Sequence, residues 1–81
     1  MSIILKDEAA TRALIAERVG ILKKYAQRSG ISQTYLTQIL KGQRKPSITV
    51  AHQMASALKL NVEDIFLIKN VAKYNPLNEV K

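Results

Sequence analysis

Two short helical patterns separated by a glycine occupy residues 26–42 of this 81-residue chain, and they constrain the fold more than any other segment. Ala26 is small enough for two helices to cross closely, and Gly30 allows the sharp turn between them. Apolar residues at positions 31, 36 and 39 supply anchors for packing. The segment therefore predicts two closely crossing helices, the second of which has a polar outward face.

Capping residues and turn signals predict five helices and no strand. Aspartate, serine and asparagine precede the helical patterns, where their side chains accept a backbone N–H, and glycine follows them as a left-handed cap. The predicted spans run from Asp7 to about Val19, from about Ile21 to Ser29 before Gly30, from Ser32 to about Lys41 before Gly42, from Ser47 to about Leu58, and from Asn61, with Asp64 completing a capping box, to about Val71.

The fourth helix is expected to supply core. Its apolar residues recur at the three and four spacing of a buried helix face, namely Ile48, Ala51, Met54, Ala55 and Leu58. Residues 42–46 form a predicted loop, because Pro46 disfavours helical geometry in the residue before it. The chain is thus expected to form one all-α domain over residues 1–72, followed by a flexible tail over residues 73–81 that begins before the Asn75–Pro76 break.

Composition excludes several classes of protein. The chain has no cysteine, so disulfides and thiolate metal sites are ruled out. The apolar run Ile3–Leu5 is too short for a signal peptide, and no window approaches the roughly 20 apolar residues of a membrane span. A location in the cytoplasm is expected.

Charge is unevenly distributed along the chain. The net charge is +7, and no acidic residue occurs between Glu17 and Glu63. Charge alone leaves two interpretations open, a polyanionic partner or a solvated basic surface. The positions of the cations favour the first.

The third predicted helix has the side chains that reading a DNA major groove requires. Gln33, Thr34, Thr37 and Gln38 share the face opposite the apolar anchors. A glutamine amide can pair bidentately with adenine, and a threonine offers a hydroxyl and a methyl group. The alternative, an ordinary exposed face, would more often carry Glu and Lys pairs. Residues around this stripe are expected to hold the DNA backbone, namely Ser32, Lys41, Gln43, Arg44, Lys45 and, with less support, Lys23, Lys24 and Arg28.

Tyr35 allows two interpretations. It can lie along a phosphate, which we favour slightly, or pack over the second helix.

These motifs resemble the Cro/C1-type (Xre-like) helix-turn-helix family. The resemblance covers about residues 20–68 and rests on Ala26, Gly30–Ser32, Leu36, Ile39, Gly42, Arg44, Pro46–Ser47, Ala55, Leu58 and Glu63–Phe66. It implies a compact five-helix, lambda-repressor-like DNA-binding domain and a transcriptional regulator, commonly a phage, prophage or plasmid repressor that binds palindromic operators as a dimer. It also implies base contacts by Gln33, Thr34 and Gln38, and backbone contacts by Ser32, Lys41 and Arg44.

The chain departs from the family pattern at three positions. Leu22 stands where the family usually has a phosphate-binding glutamine, Ser29 replaces an apolar residue before the turn glycine, and Ile15 replaces a common arginine. The first of these differences predicts that the phosphate contact is either missing or made by Lys23 or Lys24.

Catalysis, metals and cofactors have little support. His52 has no cysteine or second histidine with which to bind a metal, and Glu63 and Asp64 point in different directions from a helix. We therefore predict no enzyme activity and no cofactor.

A second function class stays open, namely a protein-interaction module such as an antitoxin or an anti-repressor. Apolar residues near both ends exceed the needs of a small core, and they can bind a partner protein or form a homodimer: Ile3, Ile4, Leu5, Phe66, Leu67, Ile68 and Val71. No small-molecule effector is expected, because the sequence leaves no room for a separate effector domain.

Overall fold

Five helices and a two-stranded sheet make up the part of the chain that the structure, a computed structural model, describes, residues 2–69. In chain order the elements are β1 (Ser2–Leu5), α1 (Glu8–Arg18), α2 (Leu22–Ser29), α3 (Gln33–Leu40), α4 (Ile48–Ala57), α5 (Val62–Ile65) and β2 (Phe66–Lys69). The expected domain end at residue 72, the tail over residues 73–81 and the predicted helix end at Val71 lie outside the described residues.

Side-chain caps begin three of the helices, as the sequence predicts. The Asp7 carboxylate accepts the Ala10 N–H at 3.1 Å at the start of α1. The hydroxyl of Ser32 accepts the Tyr35 N–H at 3.1 Å, and that of Ser47 accepts the Val50 N–H at 3.2 Å. The observed spans of α1 to α4 agree with the predicted spans to within one residue at each end.

The turn between α2 and α3 has the left-handed geometry that a glycine allows. Gly30 has φ +73°, and its N–H donates to the Ala26 carbonyl at 3.0 Å. The Ile31 N–H donates to the same carbonyl at 3.1 Å, and Ile31 is buried. The chain therefore leaves α2 and enters α3 within three residues.

The prediction of a fifth helix to Val71 and of no strand is wrong. The predicted capping box is present, since the Asn61 N–H donates to the Asp64 carboxylate at 2.8 Å, but the helix ends at Ile65. Phe66–Lys69 is extended and pairs antiparallel with Ser2–Leu5, with Leu5 opposite Phe66. The pairing buries Ile3 and Phe66 against the helices, and this tertiary contact decides the conformation of a short apolar run that local pattern leaves ambiguous.

The core lies between the helices and the inner face of the sheet. Its largest fully buried side chains are Tyr25, Phe66, Leu36, Ile39, Leu40, Met54 and Leu58. Two hydrogen bonds tie α4 to other elements: the Tyr25 hydroxyl donates to the Met54 carbonyl at 2.6 Å, and the Arg18 guanidinium donates to the Leu58 carbonyl at 2.9 Å. Burial raises the pKa of Tyr25 well above its usual value. Ile48 was expected in this core, but it lies at the first turn of α4 with 37% of its surface exposed.

Candidate nucleic-acid interface

The outward face of α3 brings the four predicted base-reading residues together. Gln33, Thr34, Thr37 and Gln38 line one shallow depression on the surface. Gln33 and Thr34, in the first turn, are exposed, whereas Thr37 and Gln38 are half-buried. Two amides and two hydroxyls therefore point from one helix face, with no charged group among the residues that line this depression.

The inward face of α3 fixes this orientation. Leu36, Ile39 and Leu40 are almost fully buried on the side opposite the polar stripe. Rotating the helix to bury the glutamines would expose these three apolar side chains and leave the amides without partners, and both changes cost free energy. The polar stripe is therefore held outward by the packing of the core.

The basic loop after α3 is tied back to the helix end. The Gln38 carbonyl accepts the N–H of Gln43 at 2.8 Å and that of Arg44 at 3.2 Å, and Gly42 adopts φ +76°. Lys41 and Lys45 are exposed on either side of this closure. The backbone bonds hold the cationic loop against the end of the helix that carries the polar stripe.

Tyr35 packs against the core and supports Arg44. Its ring is half-buried, and the Arg44 guanidinium lies 4.9 Å from the ring centroid, within the range of a cation–π contact. The contact reduces the freedom of the Arg44 side chain. It gives Tyr35 a positioning role beside either interpretation drawn from the sequence.

The start of α2 differs from the family pattern in a specific way. Leu22 is half-buried and packs against the core, so no amide side chain is offered there. Ile21 precedes the helix and makes no side-chain cap, which leaves the first N–H groups of α2 without a side-chain acceptor. Lys23 and Lys24 are exposed in the same turn.

Ser29, the second departure from the family pattern, is accommodated within the helix itself. Its side chain is buried, and the hydroxyl donates to the Tyr25 carbonyl at 2.8 Å. A short polar side chain is tolerated at this buried position because its hydroxyl is satisfied.

Arg28 lies apart from the polar stripe. It lines an open groove of about 790 Å³ between α2 and α4, together with His52, Gln53 and Lys59. His52 is exposed, and no group of three metal-ligating side chains occurs within residues 2–69.

The sequence did not predict the hydrogen bond from the Arg18 guanidinium to the Leu58 carbonyl, because nothing local to either residue indicates the contact.

Ion pairs within the described residues do not neutralise the basic surface. In the part of the chain that the structure describes, the one ion pair joins Arg12 to Glu8 on α1 at 2.9 Å. The lysines and arginines of the acid-free stretch therefore have no carboxylate from the described residues beside them.

None of the helices within residues 2–69 has the length and apolar composition of a membrane span.

Comparison with known proteins identifies the family. The helix-turn-helix family matches residues 13–65, which include α2, the Gly30 turn and α3. The chain belongs to the Cro/C1-type helix-turn-helix family. The family resemblance drawn from the sequence is confirmed.

Two curated relatives carry a related segment. Both are called uncharacterized HTH-type transcriptional regulators, and they come from two strains of Mycobacterium tuberculosis. Each is 33% identical to this chain over 60 residues, which cover 74% of this chain and 43% of the relative. The chain thus spans less than half the length of these relatives.

Proposed function

We propose that the protein is a transcriptional regulator that binds double-stranded DNA in a sequence-specific manner and reads the major groove with α3. The observation that carries the proposal is the shared outward face of Gln33, Thr34, Thr37 and Gln38, with a fixed cationic loop at its end. An α-helix fits the major groove, where each base pair presents a distinct pattern of donors and acceptors.

Reading and holding fall to different residues in this proposal. Gln33 and Gln38 offer amides that pair with adenine, and Thr34 and Thr37 offer hydroxyl and methyl groups to a base. Contacts to the sugar-phosphate backbone come from the neighbouring residues, namely Ser32, Tyr35, Lys41, Gln43, Arg44 and Lys45. Backbone contacts set the register of the helix in the groove but carry no sequence information directly.

The start of α2 supplies a second backbone contact. Its uncapped N–H groups present the positive end of a helix, and Lys23 and Lys24 lie in the same turn. A phosphate at this point would accept backbone hydrogen bonds and pair with a lysine. These contacts would replace the one that a glutamine amide makes in the family and that Leu22 cannot make.

We propose further that two copies occupy a two-fold operator and repress transcription, as in phage, prophage or plasmid repressors of this family, in the cytoplasm where the DNA lies. Ile4 and Leu67 support the dimer, because they stand opposite each other on one face of the sheet and 37% and 45% of their surfaces are exposed. Half-sites about 34 to 36 Å apart, or a multiple of that distance, would then match the two recognition helices.

Selection of bound sequences from random duplex DNA is the experiment that tests this proposal. A defined site is expected, with two-fold symmetry if the protein binds as a dimer. On that site, Gln33→Ala and Gln38→Ala are each expected to cost about 1 to 3 kcal/mol and to relax preference at one base pair. Unchanged preference in both variants would overturn direct readout by α3.

A matched pair of lysine variants distinguishes a phosphate contact by the basic loop from a general effect of net charge on DNA binding. Lys45→Ala is expected to weaken all sequences alike and to reduce the salt slope by about 1, whereas Lys59→Ala removes the same charge from the α2–α4 groove and should change little. If about six phosphates are neutralised, log affinity should fall with log salt at a slope of about −5. Equal effects of the two substitutions would argue against a specific role for the loop.

Light scattering with and without the selected duplex tests the dimer. Two copies per duplex are expected. A strictly monomeric protein that binds a single half-site tightly would contradict obligate dimerisation.

A further inference from the structure

Among residues 2–69, the edge of β1 that faces away from β2 has no backbone partner, and it lies next to the basic loop. The Lys6 N–H donates to the Ile65 carbonyl at 3.0 Å, which continues the register of the sheet one position beyond the pair of Leu5 and Phe66. Along an antiparallel strand the backbone groups alternate in direction, so Ile3 and Leu5 direct their N–H and C=O groups away from β2. No backbone partner for these groups occurs among residues 2–69.

A cavity of about 270 Å³ lies beside this edge, between β1 and the loop from α3 to α4. One part of its wall is apolar and includes Leu5, which is half-buried, and Ile4, 37% of whose surface is exposed. Another part is cationic and consists of Lys41, Arg44 and Lys45, residues of the basic loop. The cavity therefore combines an open strand edge, apolar contacts and positive charge.

Glu8 is the acidic residue in the wall of this cavity, and its charge is already paired. Its carboxylate accepts the Arg12 guanidinium N–H at 2.9 Å. The three loop cations have no such partner among the described residues. The positive charge of the cavity therefore favours an occupant that is negatively charged.

We propose that a partner protein adds an extended, acidic segment as a third strand at the β1 edge. Its backbone would pair with Ile3 and Leu5, alternate apolar side chains would contact the half-buried Leu5 side chain, and its carboxylates would meet the loop cations. Strand addition of this kind takes affinity from the backbone bonds and specificity from alternate side chains. A second copy of this sheet fits poorly, because β1 has no acidic residue and β2 ends in Lys69.

Occupation of this edge would compete with DNA. The carboxylates of the added strand would contact Lys41, Arg44 and Lys45, which the proposed function assigns to phosphates. This consequence rests on the proposed function, whereas binding of the segment does not. The fold would then have a built-in route by which a protein partner releases the DNA.

The binding step can be tested without DNA. The probe is a synthetic nine-residue peptide with capped ends in which valine alternates with glutamate or aspartate, titrated into isotope-labelled full-length protein. Amide shifts at Ile3 and Leu5 are expected, together with slower hydrogen exchange at both. No perturbation at these two amides would overturn the proposal.

Two N-methylated peptides provide the matched control. Each carries methyl groups on one alternate set of backbone nitrogens, so that one set faces β1 and the other faces away. Methylation of the facing set is expected to weaken binding at least tenfold, and methylation of the other set should have little effect. Equal binding of both peptides would show adhesion by charge alone and would refute strand addition.

The competition step uses the selected duplex. The parent peptide is expected to displace DNA, and a peptide with glutamine and asparagine in place of its acids should bind at least tenfold more weakly. If the peptide binds at Ile3 and Leu5 but the protein binds no duplex, the proposed function fails and the strand site stands. If duplex and peptide bind together, the competition is refuted.

Discussion

The helix-turn-helix and the terminal sheet are held together in opposite ways. The helix-turn-helix is held by hydrogen bonds between residues that are near neighbours in sequence. For example, the Ala26 carbonyl accepts two N–H groups at the Gly30 turn. The sheet pairs the two ends of the described chain, with all five helices between its strands. The contrast teaches that the shape of α3 is set locally, whereas closure of the core around it is set by distant residues.

The substitution with the largest expected effect removes the most deeply buried side chain of the sheet. Phe66 is almost fully buried, so Phe66→Ala should leave a cavity and destabilise the fold by about 3 to 5 kcal/mol. Chemical denaturation followed by circular dichroism measures the change. Leu67→Ala, on the exposed neighbour, is the control and should cost about 0.5 kcal/mol or less. Similar losses in both would mean that the sheet does not close the core.

The Gly30 turn should give the next largest effect. An added Cβ would meet only the Gln53 side chain at 4.0 Å, so Gly30→Ala adds strain from the positive φ rather than a clash. A loss of about 1 to 2 kcal/mol is expected. Gly30→Asn tests the reason, because asparagine tolerates this conformation better and should lose less. An equal loss in both variants would point to a cause other than backbone strain.

Loss of the cap on α3 is expected to be smaller. Ser32→Ala removes the acceptor of the Tyr35 N–H and should cost about 1 kcal/mol. Thermal unfolding measures the loss, and Ser32→Asp should recover most of it because aspartate also caps. If Ser32→Asp restores stability but weakens binding to the selected duplex, the hydroxyl or its neutral charge also serves the DNA contact.

Tyr25 connects the local motif to the distant part of the chain, and the loss expected on its substitution at neutral pH is similar to that of the α3 cap. Tyr25→Phe removes the hydrogen bond to the Met54 carbonyl, with an expected cost of about 1 kcal/mol.

The pH dependence of stability distinguishes Tyr25 from the other sites. Burial raises the pKa of Tyr25 in the folded state, so the folded chain holds this proton more tightly than the unfolded chain. Stability from this group is complete below the unfolded pKa of about 10 and falls as pH rises above it. Denaturation at pH 7 and at alkaline pH should show a smaller alkaline loss in Tyr25→Phe. An identical alkaline loss in both proteins would assign it to other groups.

The sequence predicts the helix-turn-helix well because its signals are local. Ser32, Ser47 and Gly30 act within a few residues of their own positions, and the predicted ends of α1 to α4 agree with the structure to within one residue. The polar stripe on α3 follows from the same helical spacing. The base and backbone roles of these residues stay predictions.

The chain ends could not be predicted because their partners are remote. Phe66–Lys69 is a four-residue run whose pattern fits a helix or a strand, and only its pairing with Ser2–Leu5 decides between them. The support of Arg44 by Tyr35 and the bond from Arg18 to Leu58 also depend on tertiary contacts. Of the apolar residues that the sequence places near both ends, residues 3–5 and 66–68 meet in one sheet.

The pairing of Ser2 with Lys69 has a mechanical consequence. A force that pulls these two residues apart acts across the ladder, along its hydrogen bonds, and opens them one after another from that end. The force would act on the helices only after Leu5 and Phe66 had separated. Under tension the sheet is therefore the first part to open, and α3 would keep its shape until the core behind it is exposed.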